Sequence, residues 1–212
     1  MDVLKKRRKY SVSIKVDFKK ELKQLYSPSV KEVNTIDVPN MNFLMIHGEG
    51  TPSSLQYKQA IEVLFTVSYT LKFMIKKTKN IDYGVMPLES LWWIDDIREF
   101  ATTAQDEWKW TSMIMQPSYV KEENIKMAIE QTSKKKELPE DKIMFNNFHE
   151  GLSAQILYQG PYSEEKSTIA KVHNFIHKNG YQMRGKHHEI YLNDPSRTAP
   201  EKLKTIIRQP VK

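Results

Sequence analysis

The chain has 212 residues, 39% of them hydrophobic and 28% charged, enough to bury a core as one large domain or two small ones. No apolar run approaches the roughly 20 residues that span a bilayer, and Lys5, Lys6, Arg7, Arg8 and Lys9 have no apolar stretch behind them, so they are not a signal peptide. With no cysteine, disulfides and thiolate metal sites are excluded, and the chain reads as cytoplasmic.

Much of the net charge of +7 sits at the start. Without residues 1–9, 28 basic residues face 25 acidic ones, a net of +3. That describes a solvated basic tail and argues against a nucleic-acid reader. Asp17 to Tyr26 (DFKKELKQLY) predicts a short charged helix stopped by Ser27-Pro28. Met41 to Ile46 is an apolar strand ended by His47-Gly48-Glu49-Gly50-Thr51-Pro52. Ser53 with Gln56 three residues on is a capping-box signature. From there Tyr57, Ile61, Leu64, Phe65, Ser68, Leu71 and Ile75 recur at helical spacing to about Lys77, a long amphipathic helix that should lie across a sheet.

Val85 to Ile94 (VMPLESLWWI) alternates as a strand, with Glu89, Leu91 and Trp93 on one face and Ser90, Trp92 and Ile94 on the other. Ile97–Ala104 reads as a short helix in the connection, and Trp108 to Met115 returns as a strand ending at Gln116-Pro117. Glu122 and Glu123 in a first turn and Lys134, Lys135 and Lys136 in a last turn frame a helix over about 120–136. Leu152 to Tyr158 is strand-like and leads into Gln159-Gly160-Pro161-Tyr162. Ser163 caps a helix with Glu164 and Glu165 in its first turn, Ile169, Val172 and Ile176 on its inner face, and Gly180 past its end. His187 to Leu192 then alternates strictly: Ile190 and Leu192 on one face, His187, Glu189 and Tyr191 on the other. Asn193-Asp194-Pro195 closes it, and Lys204 to Val211 is a last strand.

The two halves share an order of strand, glycine turn, amphipathic helix, strand, connection, strand and Gln-Pro. Trp93-Ile94-Asp95-Asp96 parallels Tyr191-Leu192-Asn193-Asp194, and Met115-Gln116-Pro117 parallels Arg208-Gln209-Pro210. The expected fold is therefore α+β: duplicated βαββ units with pseudo-two-fold symmetry, both long helices on one face of the sheet, and a ligand cleft between the repeats on the other. Residues 1–40 would be a basic tail and short helix. Residues 41–212 would be a single domain of two repeats, about 41–117 and 150–212, joined by a helix at about 118–138. With Trp93 equivalent to Tyr191, Glu89 matches His187, and both halves send aromatics and carboxylates to the cleft. Trp92 then falls in the core by strand parity. Trp108 and Trp110 share a parity, and Trp110 is taken for the cleft, with Tyr57 and Tyr158 flanking the turns that would close it.

The doubled pattern, with the string from Gly185 to Val211 (GKHHEIYLNDPSRTAPEKLKTIIRQPV), resembles the GyrI-like small-molecule-binding family over about residues 15–212. The segments from Val85 to Trp93 (VMPLESLWW) and from Asp106 to Thr111 (DEWKWT) resemble its free-standing branch. The resemblance implies a cytoplasmic bacterial or archaeal protein without cofactor, binding flat, hydrophobic, often cationic compounds over a strand glutamate, here Glu189. Some members of the branch are described as hydrolases that open the cyclopropane of DNA-alkylating cyclopropanoid natural products. Others serve as ligand modules of transcription regulators or antagonise gyrase poisons. No helix-turn-helix accompanies this sequence, which points away from the regulator role, and gyrase as a partner has only the basic tail in its favour.

The residues themselves give Glu189 two candidate jobs. One is an anionic anchor for a cation, with Trp93, Tyr191 and Trp110 as π faces. The other is a general base, its pKa raised by burial among rings. Water activated by Glu189 would attack the methylene of a strained spirocyclopropane while Tyr191 or His187 stabilises the carbonyl oxygen as it becomes phenolate. Glu89 would share the role or bind a second polar group; otherwise it pairs with a surface lysine. A metal is rejected, because the adjacent His187 and His188 point to opposite faces, His149-Glu150-Gly151 is isolated, and no HExxH spacing appears. Neither a phosphate loop nor a GxSxG elbow is present.

Overall fold

A computed structural model describes residues 13–94, 104, 107–134 and 138–212. The basic tail, most of the helix expected over 97–104, and Lys135 and Lys136 lie outside the described residues. The elements run β1 (Ile14–Val16), α1 (Phe18–Glu21), α2 (Lys23–Tyr26), β2 (Asn34–Glu49), α3 (Leu55–Lys79), β3 (Ile81–Tyr83), β4 (Leu88–Trp93) and β5 (Lys109–Gln116). They continue with α4 (Glu122–Ser133), β6 (Met144–Gln159), α5 (Lys166–Lys178), β7 (His187–Tyr191) and β8 (Lys204–Pro210). The architecture is mixed α+β. Six antiparallel strands close a barrel in the order β2-β5-β4-β7-β8-β6, and β1 pairs with β3 apart from it.

Strand length closes the barrel. The sequence predicts strands only over 41–46 and 152–158, yet β2 and β6 run 16 residues each. They pair with each other from Asn34↔Gln155 to Met45↔Met144. In the extra half of β2, Pro39, which has no N–H to give, falls between the pairs Val38↔Gly151 and Asn40↔His149, and in that of β6 Met144, Phe145 and Phe148 fall out of alternation among Asn146, Asn147, His149 and Glu150, so neither half reads as a strand. Helix α3 begins one residue later than expected: the Ser54 hydroxyl, not Ser53, accepts from the Tyr57 N–H at 3.2 Å. Lys76, Lys77 and Lys79 complement its last turn, and Asn80 ends it with φ of 58°. Its buried face of Tyr57, Ala60, Val63, Leu64, Val67, Ser68, Leu71 and Ile75 lies on the outside of β2 and β5. Each aliphatic buried there contributes about 1.5–3 kcal/mol. Helix α5 packs Val172 and Ile176 on Ala154, Ile156 and Ile207 of β6 and β8.

Cross-strand partners share a sheet face. Ser90↔Glu189, Trp92↔His187 and Trp92↔Trp110 therefore lie together on the outer face, under the helices. Glu89↔Ile190, Leu91↔His188 and His188↔Arg208 lie on the inner face. This corrects the placement of the cleft. The face away from the helices is the filled interior of the barrel, and Glu189 belongs to the helix-covered face.

Candidate functional site

Glu189 sits at the middle of β7, on the outer side of the β4–β7 seam, where the beginnings of α3 and α5 approach it. Its side chain keeps 12% exposure. Tyr191 donates to its Oε2 at 2.6 Å, and His187 Nε2 lies 3.1 Å from its Oε1. Tyr191 in turn accepts from Trp92 Nε1 at 3.1 Å. The Tyr57 hydroxyl from α3 bonds Ser90 at 2.8 Å, and Ser90 bonds Ser112 at 3.0 Å. The Tyr57 ring lies 5.1 Å from both Trp92 and Trp110. From the turn before α5, Tyr162 meets Tyr191 edge-on at 5.7 Å and stands part-exposed at the rim.

Glu165, at the N-cap of α5, brings a second carboxyl close enough to interact electrostatically with Glu189. Burial and the neighbouring Glu189 charge push its carboxyl up to about 9. Burial works on Glu189 in the same direction, but His187 and Tyr191 hydrogen-bond its charged form and hold it below the ordinary carboxylate value. This reverses the raised pKa expected for a carboxylate among rings. Desolvation of the phenol and the Glu189 charge raise Tyr191 well above its usual range. With its proton committed to Glu189, Tyr191 is a poor donor to any third group, contrary to the role the sequence suggested.

Of the residues singled out from the sequence, Glu189, Tyr191, His187, Tyr57 and Trp110 meet on this face. Glu89 and Trp93 do not. They point to the inner face because β4 is out of the expected phase by one residue, which sends every side chain to the opposite side. Glu89 accepts from Tyr26 at 2.7 Å and lies 3.1 Å from His188 Nε2. Lys186 Nζ stands 3.1 Å from the centroid of Trp93. Tyr158 donates to the Pro161 carbonyl at 2.8 Å within a second apolar cluster, where it braces the turn that carries Tyr162 and Glu165. Trp92, assigned to the core from the sequence, is the tryptophan that bonds Tyr191. Ser90, Ser112, Tyr162 and Glu165 were not anticipated; Glu165 read as an ordinary dipole-complementing acid.

Trp110 lies so close over Gly48 that a Cβ there would fall 2.2 Å from its ring, so glycine at that position lets the indole reach Tyr57. A cleft of about 390 Å³ opens on the far side of Trp110, between α3 and residues 138–142, and does not include Glu189. Among the described residues, no group of three or more His, Asp or Glu is placed to hold a metal ion, and no helix is long and apolar enough to cross a membrane.

The profile of the GyrI-like small molecule binding domain matches residues 31–212. A crystal structure of an uncharacterized conserved protein from Listeria innocua is 40% identical, with a TM-score of 0.86, covering 93% of this chain and all of that one. A structure described as a hydrolase from Listeria innocua is 38% identical over the same shares, with a TM-score of 0.81. The EcmrR C-terminal domain, 11% identical over 85% of this chain and 97% of that one with a TM-score of 0.54, shares the fold alone. No curated protein matches the chain.

Proposed function

Since the chain belongs to the GyrI-like family of small-molecule-binding domains, we propose that it binds flat hydrophobic, preferably cationic, small molecules at Glu189 and hydrolyses electrophilic cyclopropanoids there. The observation that carries this reading is the Glu189 carboxylate, held charged and bordered by Tyr57, Trp92, Tyr162 and Tyr191 with a narrow opening to water. A fixed anion beside π faces attracts a cation from two sides. The 38% identity to a protein described as a hydrolase supports turnover. In that reaction water would attack the cyclopropane methylene and lose its proton to Glu189. The broken C–C bond's electron pair would pass into the conjugated carbonyl, whose oxygen is then protonated. A carboxylate below its ordinary pKa is a weak base, so most of the acceleration would come from ring strain and positioning. We read the architecture as two βαββ units, β2-α3-β4-β5 and β6-α5-β7-β8, because exchanging them leaves the strand order unchanged.

The low basicity of Glu189 also favours a second reading, a module that sequesters or senses cationic ligands without altering them. One experiment separates the two. Substoichiometric protein is incubated with a cyclopropanoid alkylator and the products are weighed by mass spectrometry. Many water adducts per protein, lost in Glu189→Gln, are expected for the enzyme. A complex holding unaltered ligand assigns the module, and no retention of any flat ligand sinks both.

A further inference from the structure

Trp110 has two neighbourhoods, and one of them lies outside the Glu189 cluster. On one side its ring meets Tyr57 edge-on at 5.1 Å, and the Tyr57 hydroxyl bonds Ser90. On the other it closes the inner end of the cleft of about 390 Å³ between the first turns of α3, the end of β2 and residues 138–142. That volume falls within the range of small-molecule pockets. Trp110 is fully buried, and its Nε1 has no hydrogen-bond partner. Gly48 fixes the way this nitrogen faces. The ring atoms closest to where a Gly48 Cβ would stand are Cζ2, Cη2 and Cε2, and Cε2 is bonded to Nε1. The nitrogen-bearing edge is thus turned from β5 onto β2, the strand that floors the cleft. The floor adds a second set of polar groups. β2 pairs with β5 as far as Glu49↔Lys109, but its ladder with β6 ends at Met45↔Met144. Along Ile46 to Gly48, the backbone edge toward residues 138–142 therefore has no partner strand, and such an edge offers N–H donors and C=O acceptors.

We infer, independently of the Glu189 reading, that this cleft is a second ligand site, for a small uncharged molecule that joins an apolar ring to an amide. An indole N–H only donates, so the group seated against Trp110 must accept. A carbonyl oxygen does so; an ammonium has nothing to accept with. A carboxylate at that depth would lose its hydration without a cation to offset the loss, because Lys142 stands exposed at the mouth. The His47 ring is engaged elsewhere, 2.7 Å from Thr111. Ile46 of β2 and Ala60 and Val63 of α3 form the apolar wall on which the ring rests, and the amide N–H meets the open edge of β2. Three residues of open edge fall short of a typical strand, and Trp110 blocks the inner end, so a small molecule fits where an added peptide strand does not. The two sites thereby sort ligands by charge: the Glu189 carboxylate attracts cations, and the donor at Trp110 turns them away.

The test follows the indole N–H signals of the full, nitrogen-labelled chain by NMR while acetanilide is added. The chain has 4 tryptophans, and Overhauser contacts to the Gly48 α-protons assign the Trp110 signal without any substitution. A saturable downfield shift of that signal is expected, with a Kd of about 1 mM for a molecule this small. Phenyltrimethylammonium, of the same size but with no acceptor, should leave it in place. Gln59→Phe lays a ring across the mouth from an exposed position of α3 and should weaken acetanilide binding about tenfold. A Trp110 signal that ignores acetanilide up to its solubility, or follows the cation equally, overturns the second site and leaves Glu189 untouched. A response confined to Trp92, the indole bonded to Tyr191, places acetanilide at Glu189 and overturns it as well. Failure of the cation to move any indole counts against the Glu189 reading alone.

Discussion

The two sides of β7 use the same residue types to opposite ends. On the inner face, His188 lies between Glu89 and Glu150, with Nδ1 2.9 Å from Glu150 and Nε2 3.1 Å from Glu89. Arg208 reaches Glu150 at 3.1 Å, Gln155 at 3.0 Å and the Leu25 carbonyl at 2.6 Å. Two carboxylates thus face two cations in full burial. Burial opposes charge on both Glu150 and His188, yet their mutual attraction, helped by Arg208 and Glu89, holds Glu150 down to about 2 and His188 up to about 9. On the outer face two carboxylates face each other. There the bonded partners of Glu189 are Tyr191 and His187 rather than an arginine. Balanced charge locks the barrel; unbalanced charge leaves chemistry available.

The largest way to break this contrast is Arg208→Met. It leaves Glu150 short of a partner inside the barrel and should cost about 3–5 kcal/mol in urea unfolding, because removing one member of a buried set strands the other. Glu189→Gln, on the outer face, should change stability by less than about 1 kcal/mol. Equal losses from the two variants would mean that both clusters are structural.

The pH dependence of stability sharpens the contrast next. Glu150, lowered from 4.5 to about 2, contributes stability that is complete above 4.5 and disappears as pH falls toward 2. His188, raised from 6.5 to about 9, contributes stability that is complete below 6.5 and disappears as pH rises through 9. The inner network is therefore strongest between about 4.5 and 6.5. Glu165, raised from 4.5 to about 9, acts as a penalty that grows above 4.5, since the unfolded chain ionises it freely. Urea unfolding across pH should show Glu165→Gln gaining on wild type steadily from pH 4.5 to pH 9, by at most about 6 kcal/mol, and nothing below pH 4.5. A gain of the same size at every pH would be a packing effect and would remove the outer pair from the account.

The sequence made one face of β7 plain and concealed the other. His187, Glu189 and Tyr191 alternate with aliphatic Ile190, so the phase of that strand is legible. In β4, Leu88 to Trp92 are all buried, so neither face is polar throughout and nothing local fixes the phase. Aligning Trp93 with Tyr191 therefore slipped it by one residue, and the register Ser90↔Glu189 restores Trp92 to the site. The inner network draws on α2, β4, β6, β7 and β8, and no local spacing gathers Tyr26, Glu89, Glu150, His188 and Arg208. Glu150 looked isolated beside His149 for that reason. Glu165 became visible only once α5 was seen to begin over β7.

The smallest expected effect compares one chemical deletion on both faces. Tyr26 donates to Glu89 at 2.7 Å in the interior, and Tyr191 donates to Glu189 at 2.6 Å outside. A hydrogen bond to a charged group is worth about 1.5–3 kcal/mol, and more of that is lost where water cannot replace the donor. Glu89 is fully buried whereas the Glu189 side chain is 12% exposed. Tyr26→Phe should therefore cost about 2 kcal/mol of stability and Tyr191→Phe about 1 kcal/mol. Only Tyr191→Phe should also weaken cation binding, because the charged form of Glu189 loses a donor and its pKa rises. Thermal unfolding with and without a quaternary ammonium ligand, beside carboxyl NMR titration, measures all of these. Tyr26→Phe lowering ligand affinity as much as Tyr191→Phe would show that the barrel interior and the outer cluster act as one unit, and the division between them would fall.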